Sequence, residues 1–202
     1  MKNIIFDCGG VIVKYKFETY LDCFSFDAQV KKDLLSLFRT KEQSEFHKGN
    51  ISELEFKNFC LNKFPNYKDE INKILSEDSL DLMLPVYDDV VTMIRRLKVK
   101  GYKLYLLSDI NETTIRYLNR KIDGFENLFD GIVYSCRVHK LKRDGEVFDY
   151  ILDKYNLDKN ETLFIDDSEK NLNQASKRGI MTFKFTDPDV DLFNIKSMIR
   201  FK

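Results

Sequence analysis

The sequence predicts an α/β fold: a Rossmann-like parallel sheet with helices on both faces, carrying an inserted α-helical cap. Five short runs rich in β-branched and aromatic residues read as buried strands: Asn3 to Asp7, Lys103 to Ser108, Gly131 to Ser135, Thr162 to Asp166 and Met181 to Phe185. Segments with helical spacing of apolar residues separate the last four. Strands alternating with helices are the pattern of a parallel sheet covered on both sides. Between about Tyr15 and Met83 the alternation stops and only helical patterns remain.

The first strand ends in Asp7-Cys8-Gly9-Gly10 and the helical insertion follows. Within it, Gln29 to Arg39 and Ser52 to Lys63 read as helices, the second opened by Ser52 with Glu55 three residues on, the pattern of a capping box. Pro85 marks the return, because proline cannot continue a helix interior. In Asp88 to Lys100 the apolar residues Val90, Ile94 and Leu97 are helically spaced, and Gly101 is a C-terminal stop. Further helices are expected over Glu112 to Lys121, Glu146 to Tyr155, Glu169 to Arg178 and Val190 to Ile199. The expected division is 1–14 with 85–202 as the core domain and 15–84 as the cap.

With 202 residues and 43% apolar composition the chain can bury one core and a smaller lobe. Lys plus Arg and Asp plus Glu both total 33, so no global field favours a nucleic acid. The basic run from Arg137 to Arg143 then reads as a solvated loop facing a site. The apolar N-terminal run is too short for a signal peptide and no stretch approaches a membrane helix. The expectation is a soluble, cytoplasmic protein, monomeric or weakly dimeric, with a small ligand. Cys8, Cys23, Cys60 and Cys136 lack metal or disulfide spacing and read as reduced and mostly buried. The Asn-x-Thr triplets at Asn111 and Asn160 carry no meaning without secretion.

In a parallel sheet, ligands bind beyond the carboxyl ends of the strands, so the polar residues found there are the candidates. Asp7 follows the first strand, Ser108-Asp109 the second and Asp166-Asp167 the fourth. The loop after the third contains His139-Lys140-Leu141-Lys142-Arg143-Asp144. Each alone is ordinary: an Asp after a strand forms turns or caps helices, and a Lys in a loop is solvated. Three converging carboxylates repel one another unless a cation lies among them. Oxygen donors without histidine or thiolate suit a hard ion, and Mg²⁺ suits phosphate chemistry. Asp7 can then be a nucleophile forming an aspartyl-phosphate.

The order strand-end Asp, strand-end Ser, Lys, strand-end acidic pair resembles the haloacid dehalogenase-like hydrolase superfamily along the whole chain. The resemblance implies a Mg²⁺-dependent phosphatase with Asp7 as nucleophile, Ser108 and the amide of Asp109 binding phosphate, and Lys142 neutralising charge. It implies Asp7, the Gly9 carbonyl and Asp167 as metal ligands, with Asp166 binding directly or through water. The helical insertion is placed like the family's cap. Two stretches, Asp7 to Val13 and His47 to Phe56, resemble a bacterial branch that includes an α-D-glucose-1-phosphate phosphatase, which implies a small phosphorylated metabolite, a sugar phosphate, as substrate.

The chain departs from the family pattern at three positions. Gly9 stands where most of these phosphatases carry a second Asp that protonates the leaving group, a function typically worth about 10²- to 10⁴-fold in rate. This predicts a preference for acidic leaving groups such as anomeric or acyl phosphates. Asp109 replaces the usual Asn and Arg143 the usual Pro. Lys142 is preferred over Lys140 because Phe148 follows at the family's offset; His139 is a candidate substitute acid, and His47 a cap residue. Of the cap aromatics Phe17, Tyr20, Phe24, Phe46, Phe56 and Phe59, most are expected in a core and one or two in a pocket. Two other functions remain: a metal-independent haloacid dehalogenase, against which Asp166-Asp167 argues, and a catalytically weak phosphate-binding regulatory protein, for which Gly9, Asp109 and Arg143 argue.

Overall fold

Strands β1 (Asn3–Phe6), β2 (Lys103–Ser108), β3 (Gly131–Tyr134), β4 (Thr162–Asp166) and β5 (Met181–Lys184) form one parallel sheet in the order β3-β2-β1-β4-β5. The computed structural model describes residues 2–15 and 17–199. β1 is the middle strand, and Phe6 lies opposite Leu106 on one side and Ile165 on the other. β2 runs on from Leu106 to Ser108 and β4 from Ile165 to Asp166, so the ends of the three strands lie close together and share one rim. Because the connections from β1 and its neighbours diverge to opposite sides of the sheet, a crevice opens there.

Alternation along the strands separates two cores. Ile4, Phe6, Leu104, Leu106 and Ile165 pack with α7 (Asp88–Val99), α8 (Glu112–Lys121) and Ile195 of α12 (Pro188–Met198). Ile5, Leu107 and Phe164 face α10 (Glu146–Tyr155) and α11 (Glu169–Ser176). α7 carries Asp88 and Asp89 in its first turn and Arg96 and Lys98 in its last, which complements its dipole. It stops as expected at Gly101, where φ is +84°.

The insertion contains α1 (Phe17–Leu21), α2 (Ala28–Leu37), α3 (Lys41–His47), α4 (Glu53–Lys63), α5 (Lys68–Ile74) and α6 (Leu80–Met83). Both halves of the Ser52–Glu55 capping box are present at the start of α4. Phe17, Tyr20, Phe24, Leu34, Phe56 and Ile71 belong to a third, separate core. The chain leaves and re-enters the sheet layer side by side: Lys14 N donates to the Pro85 carbonyl at 2.8 Å and Val13 pairs antiparallel with Val86.

The predicted strands and long helices match to within a few residues. β3 ends one residue early because Ser135 opens a single-turn helix, α9 (Ser135–Val138). The short α1, α3, α5 and α6 were not individually readable, since one or two turns hold too few apolar positions to show a period. The cysteines are all free, but only Cys8 and Cys60 are buried, with Cys23 exposed and Cys136 between. The expectation of mostly buried cysteines is corrected accordingly: Cys23 follows the short α1 on the surface.

Candidate active site

Asp7 extends the line of β1, and its amide donates to the Ile165 carbonyl at 2.9 Å. The following loop curls back on itself, with the amides of Ile12 and Val13 both donating to the Cys8 carbonyl at 2.7 and 3.0 Å. Gly10 is required there twice over: its φ is +79°, and a Cβ would lie 2.4 Å from Cγ of Asp167. This close approach brings the loop after β1 against the loop after β4.

Lys142 enters from the turn before α10 and is 2% exposed, while Asp7 and Asp166 are 6% and 0% exposed. Its ammonium lies 2.6 Å from Oδ1 of Asp7 and 2.8 Å from Oδ2 of Asp166. Burial alone would favour the neutral amine, but the charges of Asp7, Asp166 and Asp109 outweigh it and hold Lys142 above its ordinary range. Burial pushes the Asp7 carboxyl up, against the pull of Lys142, and Asp166 and Asp167 push the same way as burial. Oδ1 of Asp166 also accepts from the Ser168 amide at 2.7 Å and from Asn171 at 3.2 Å.

One oxygen from each of Asp7, Asp166 and Asp167 lies within 4.8 Å of the others. A single ammonium does not balance the two buried carboxylates of Asp7 and Asp166, so this all-oxygen donor set fits a further hard cation. Both oxygens of Asp166 are already engaged by the protein, by Lys142, the Ser168 amide and Asn171.

Ser108 ends β2, lines the same cavity and has no side-chain partner among the described residues. The Asp109 carboxylate has a task of its own: it accepts the Lys142 amide at 3.1 and 3.2 Å, and burial raises its pKa. Lys140, the alternative to Lys142, points to Glu146 at 2.7 Å on the surface.

The loop carrying Lys142 is also tied to the insertion. Arg143 donates to Ser44 at 2.5 Å, Lys48 pairs with Asp144 at 3.1 Å, and Ser135 donates to the His47 carbonyl at 2.6 Å. Nδ1 of His139 is 2.8 Å from the Lys48 carbonyl. Gly49, at φ +71°, packs where a Cβ would lie 2.2 Å from the Cys136 carbonyl oxygen. None of these docking contacts was visible in the sequence, apart from the irregular Arg143. His139 is taken up by them and is not among the cavity-lining residues, which argues against this candidate as the substitute acid. His47 does line the cavity, but burial and then Arg143 push it down to about 4, so it is neutral at pH 7.

A cavity of about 500 Å³ joins these groups to the insertion, and Phe38, Phe46 and Phe56 face it together with Asp7, Ser108 and Lys142. A family model described as haloacid dehalogenase-like hydrolase matches residues 1–173. The chain belongs to that family. This hydrolase is similar to a sesquiterpene phosphatase of Aspergillus oryzae, 24% identical over 98% of this chain and 96% of the relative. It is equally similar to a D-ribitol-5-phosphate phosphatase of Bacteroides thetaiotaomicron, 24% identical over 91% of each. A HAD family enzyme from the latter organism, solved with magnesium and inorganic phosphate, shares the fold: the TM-score is 0.76 at 21% identity, covering 96% of this chain and 99% of that one. Among the described residues no helix is long and apolar enough to cross a membrane.

Proposed function

We propose that this hydrolase is a Mg²⁺-dependent phosphomonoesterase that works through an aspartyl-phosphate on Asp7, with 15–84 as a cap over the site. The observation that carries the reading is the buried Lys142 ammonium held between Asp7 and Asp166, with Asp167 completing an all-oxygen donor set. Asp7, Asp167 and the Gly9 carbonyl would hold the ion, with Asp166 acting through water. Bound there, Mg²⁺ supplies positive charge that lets an anionic phosphate approach an anionic nucleophile.

An oxygen of Asp7 forms a bond to phosphorus while the bond from phosphorus to the ester oxygen breaks, the electron pair leaving on that oxygen. Ser108 and the Asp109 amide hydrogen-bond the phosphoryl oxygens, and Lys142 offsets their charge. The leaving oxygen takes its proton from water, since Gly9 offers none and His47 is neutral. Water then hydrolyses the aspartyl-phosphate, releasing inorganic phosphate and restoring Asp7.

The substrate is a small phosphorylated metabolite. A sugar phosphate is the class implied by the sequence's resemblance, whereas the two curated relatives are named for a sesquiterpene and for ribitol 5-phosphate at the same identity. Neither chooses for this chain. The test is hydrolysis of p-nitrophenyl phosphate: turnover requiring Mg²⁺, stopped by chelator and lost in Asp7→Asn, is expected. Dehalogenation of a haloacid that survives chelation would replace the reading with a metal-independent dehalogenase. Phosphate binding without turnover would replace it with a regulatory binding protein.

A further inference from the structure

The cavity wall contributed by the insertion is mostly hydrocarbon. Phe38, Phe46, Leu75 and Met83 pack on the insertion's core yet remain only partly buried, and all four line the cavity. Among the polar groups on the side of Asp7, one aromatic side chain adds to this surface. The Tyr15 ring covers Gly9, with ring and Cβ carbons 3.5 to 3.8 Å from where a Cβ on Gly9 would sit. Gly9, which brings no polar side chain to the wall, thus lies under an aromatic ring.

Most polar residues of the same wall already have partners within the protein. Gln43 lies 3.2 Å from the His47 ring, and Ser44 receives Arg143 and donates to the Thr40 carbonyl at 3.2 Å. Glu53 accepts from Thr113 at 2.6 Å, and Ser76 donates to the Lys73 carbonyl at 2.9 Å. Lys57 has no partner among the described residues, so it is one donor that a hydroxyl oxygen could use. A sugar carries several hydroxyl groups, each of which loses water on entry and needs a partner in return. This wall offers few. A hydrocarbon body loses no hydrogen bonds there and gains free energy in proportion to the area it removes from water.

We propose that the substrate is a phosphate monoester of a bulky apolar alcohol, its hydrocarbon body lying against Phe38, Phe46, Leu75 and Met83, and not a polyhydroxylated sugar phosphate. The inference rests on the phosphatase reading and narrows it. Hydrolysis consumes one water and releases the apolar alcohol and inorganic phosphate. The cavity, at about 500 Å³, is of a size that holds a small-molecule body.

The experiment compares kcat/KM of the Mg²⁺-loaded protein for n-octyl phosphate, glucose 6-phosphate and acetyl phosphate. The first two leave as primary alkoxides, so the missing acid weighs equally on both and the ratio reports the body. An advantage for n-octyl phosphate of about tenfold or more is expected, since each buried methylene adds severalfold. A ratio near one, or a preference for the sugar, overturns the inference while acetyl phosphate turnover keeps the phosphatase reading standing. If none of the three is hydrolysed, the phosphatase reading fails. Calorimetric binding of the same two esters then decides the body, tighter n-octyl phosphate supporting the inference and equal or weaker binding refuting it. Met83→Gln, close in shape to the native side chain, should narrow the n-octyl to glucose ratio severalfold, and an unchanged ratio counts against the assigned wall.

Discussion

The ammonium of Lys142 sits 2.6 Å from Oδ1 of Asp7, and both side chains are withdrawn from solvent. An ion pair in that position is costly to break from one side, because the partner is left as an uncompensated buried charge. Lys142→Met should therefore destabilise the metal-free protein by about 3 to 5 kcal/mol. Mg²⁺ supplies positive charge to the same carboxylates, so saturating Mg²⁺ should recover part of that loss. Urea unfolding of both proteins with and without Mg²⁺ measures it. A loss under about 1 kcal/mol, or one indifferent to Mg²⁺, would show that Lys142 does not balance this cluster.

Gly10 and Gly101 both have positive φ but differ in surroundings. A Cβ on Gly10 would lie 2.4 Å from Cγ of Asp167, whereas one on Gly101 would meet nothing within 4 Å. Gly101→Ala should cost about 1 kcal/mol from backbone strain alone and leave the Mg²⁺ response unchanged. Gly10→Ala carries the same strain and must also displace Asp167, so the rise in Tm on adding Mg²⁺ should shrink. Equal Mg²⁺-induced shifts in the two variants would argue that Asp167 takes no part in the metal site.

The sheet and the rim residues were legible because parallel strands are continuous apolar runs, and a polar residue directly after such a run has one place to be. Asp7, Ser108 and Asp166 follow from that rule alone. Lys142 sits in an irregular loop and was chosen over Lys140 by resemblance, with no physical signal in the spacing. The docking of the insertion was not legible at all. It depends on the carbonyls of His47 and Lys48 meeting Ser135 and His139, some 90 residues away in sequence, and backbone acceptors leave no mark in a sequence. The same reason hid the work of Asp109, whose partner is a main-chain amide.

That contact makes Asp109 a positioning residue for Lys142. Its carboxylate oxygens accept the Lys142 amide at 3.1 and 3.2 Å. Asp109→Asn keeps an acceptor oxygen and should hold kcat for p-nitrophenyl phosphate close to that of the native protein. Asp109→Ala removes it, frees the Lys142 loop and should lower kcat about tenfold or more, because small displacements of a charge-stabilising group are expensive. If Asn behaves like Ala, the negative charge matters and not the hydrogen bond.

His47 links pH to stability. Burial, reinforced by Arg143, pushes it from about 6.5 down to about 4, so the unfolded chain takes up a proton that the folded protein refuses. Stability is then full above about pH 6.5 and falls as the pH drops toward 4. At pH 5 the unfolded state is favoured by about 2 kcal/mol through this group. His47→Gln cannot take up that proton. Between pH 7.5 and 5.0 its loss of unfolding free energy should be smaller than that of the native protein by about the same 2 kcal/mol. The comparison cancels carboxylates that titrate in both proteins. Equal losses in the two would mean that His47 is protonated in the fold as readily as in water, and the neutral imidazole facing the cavity would have to be abandoned.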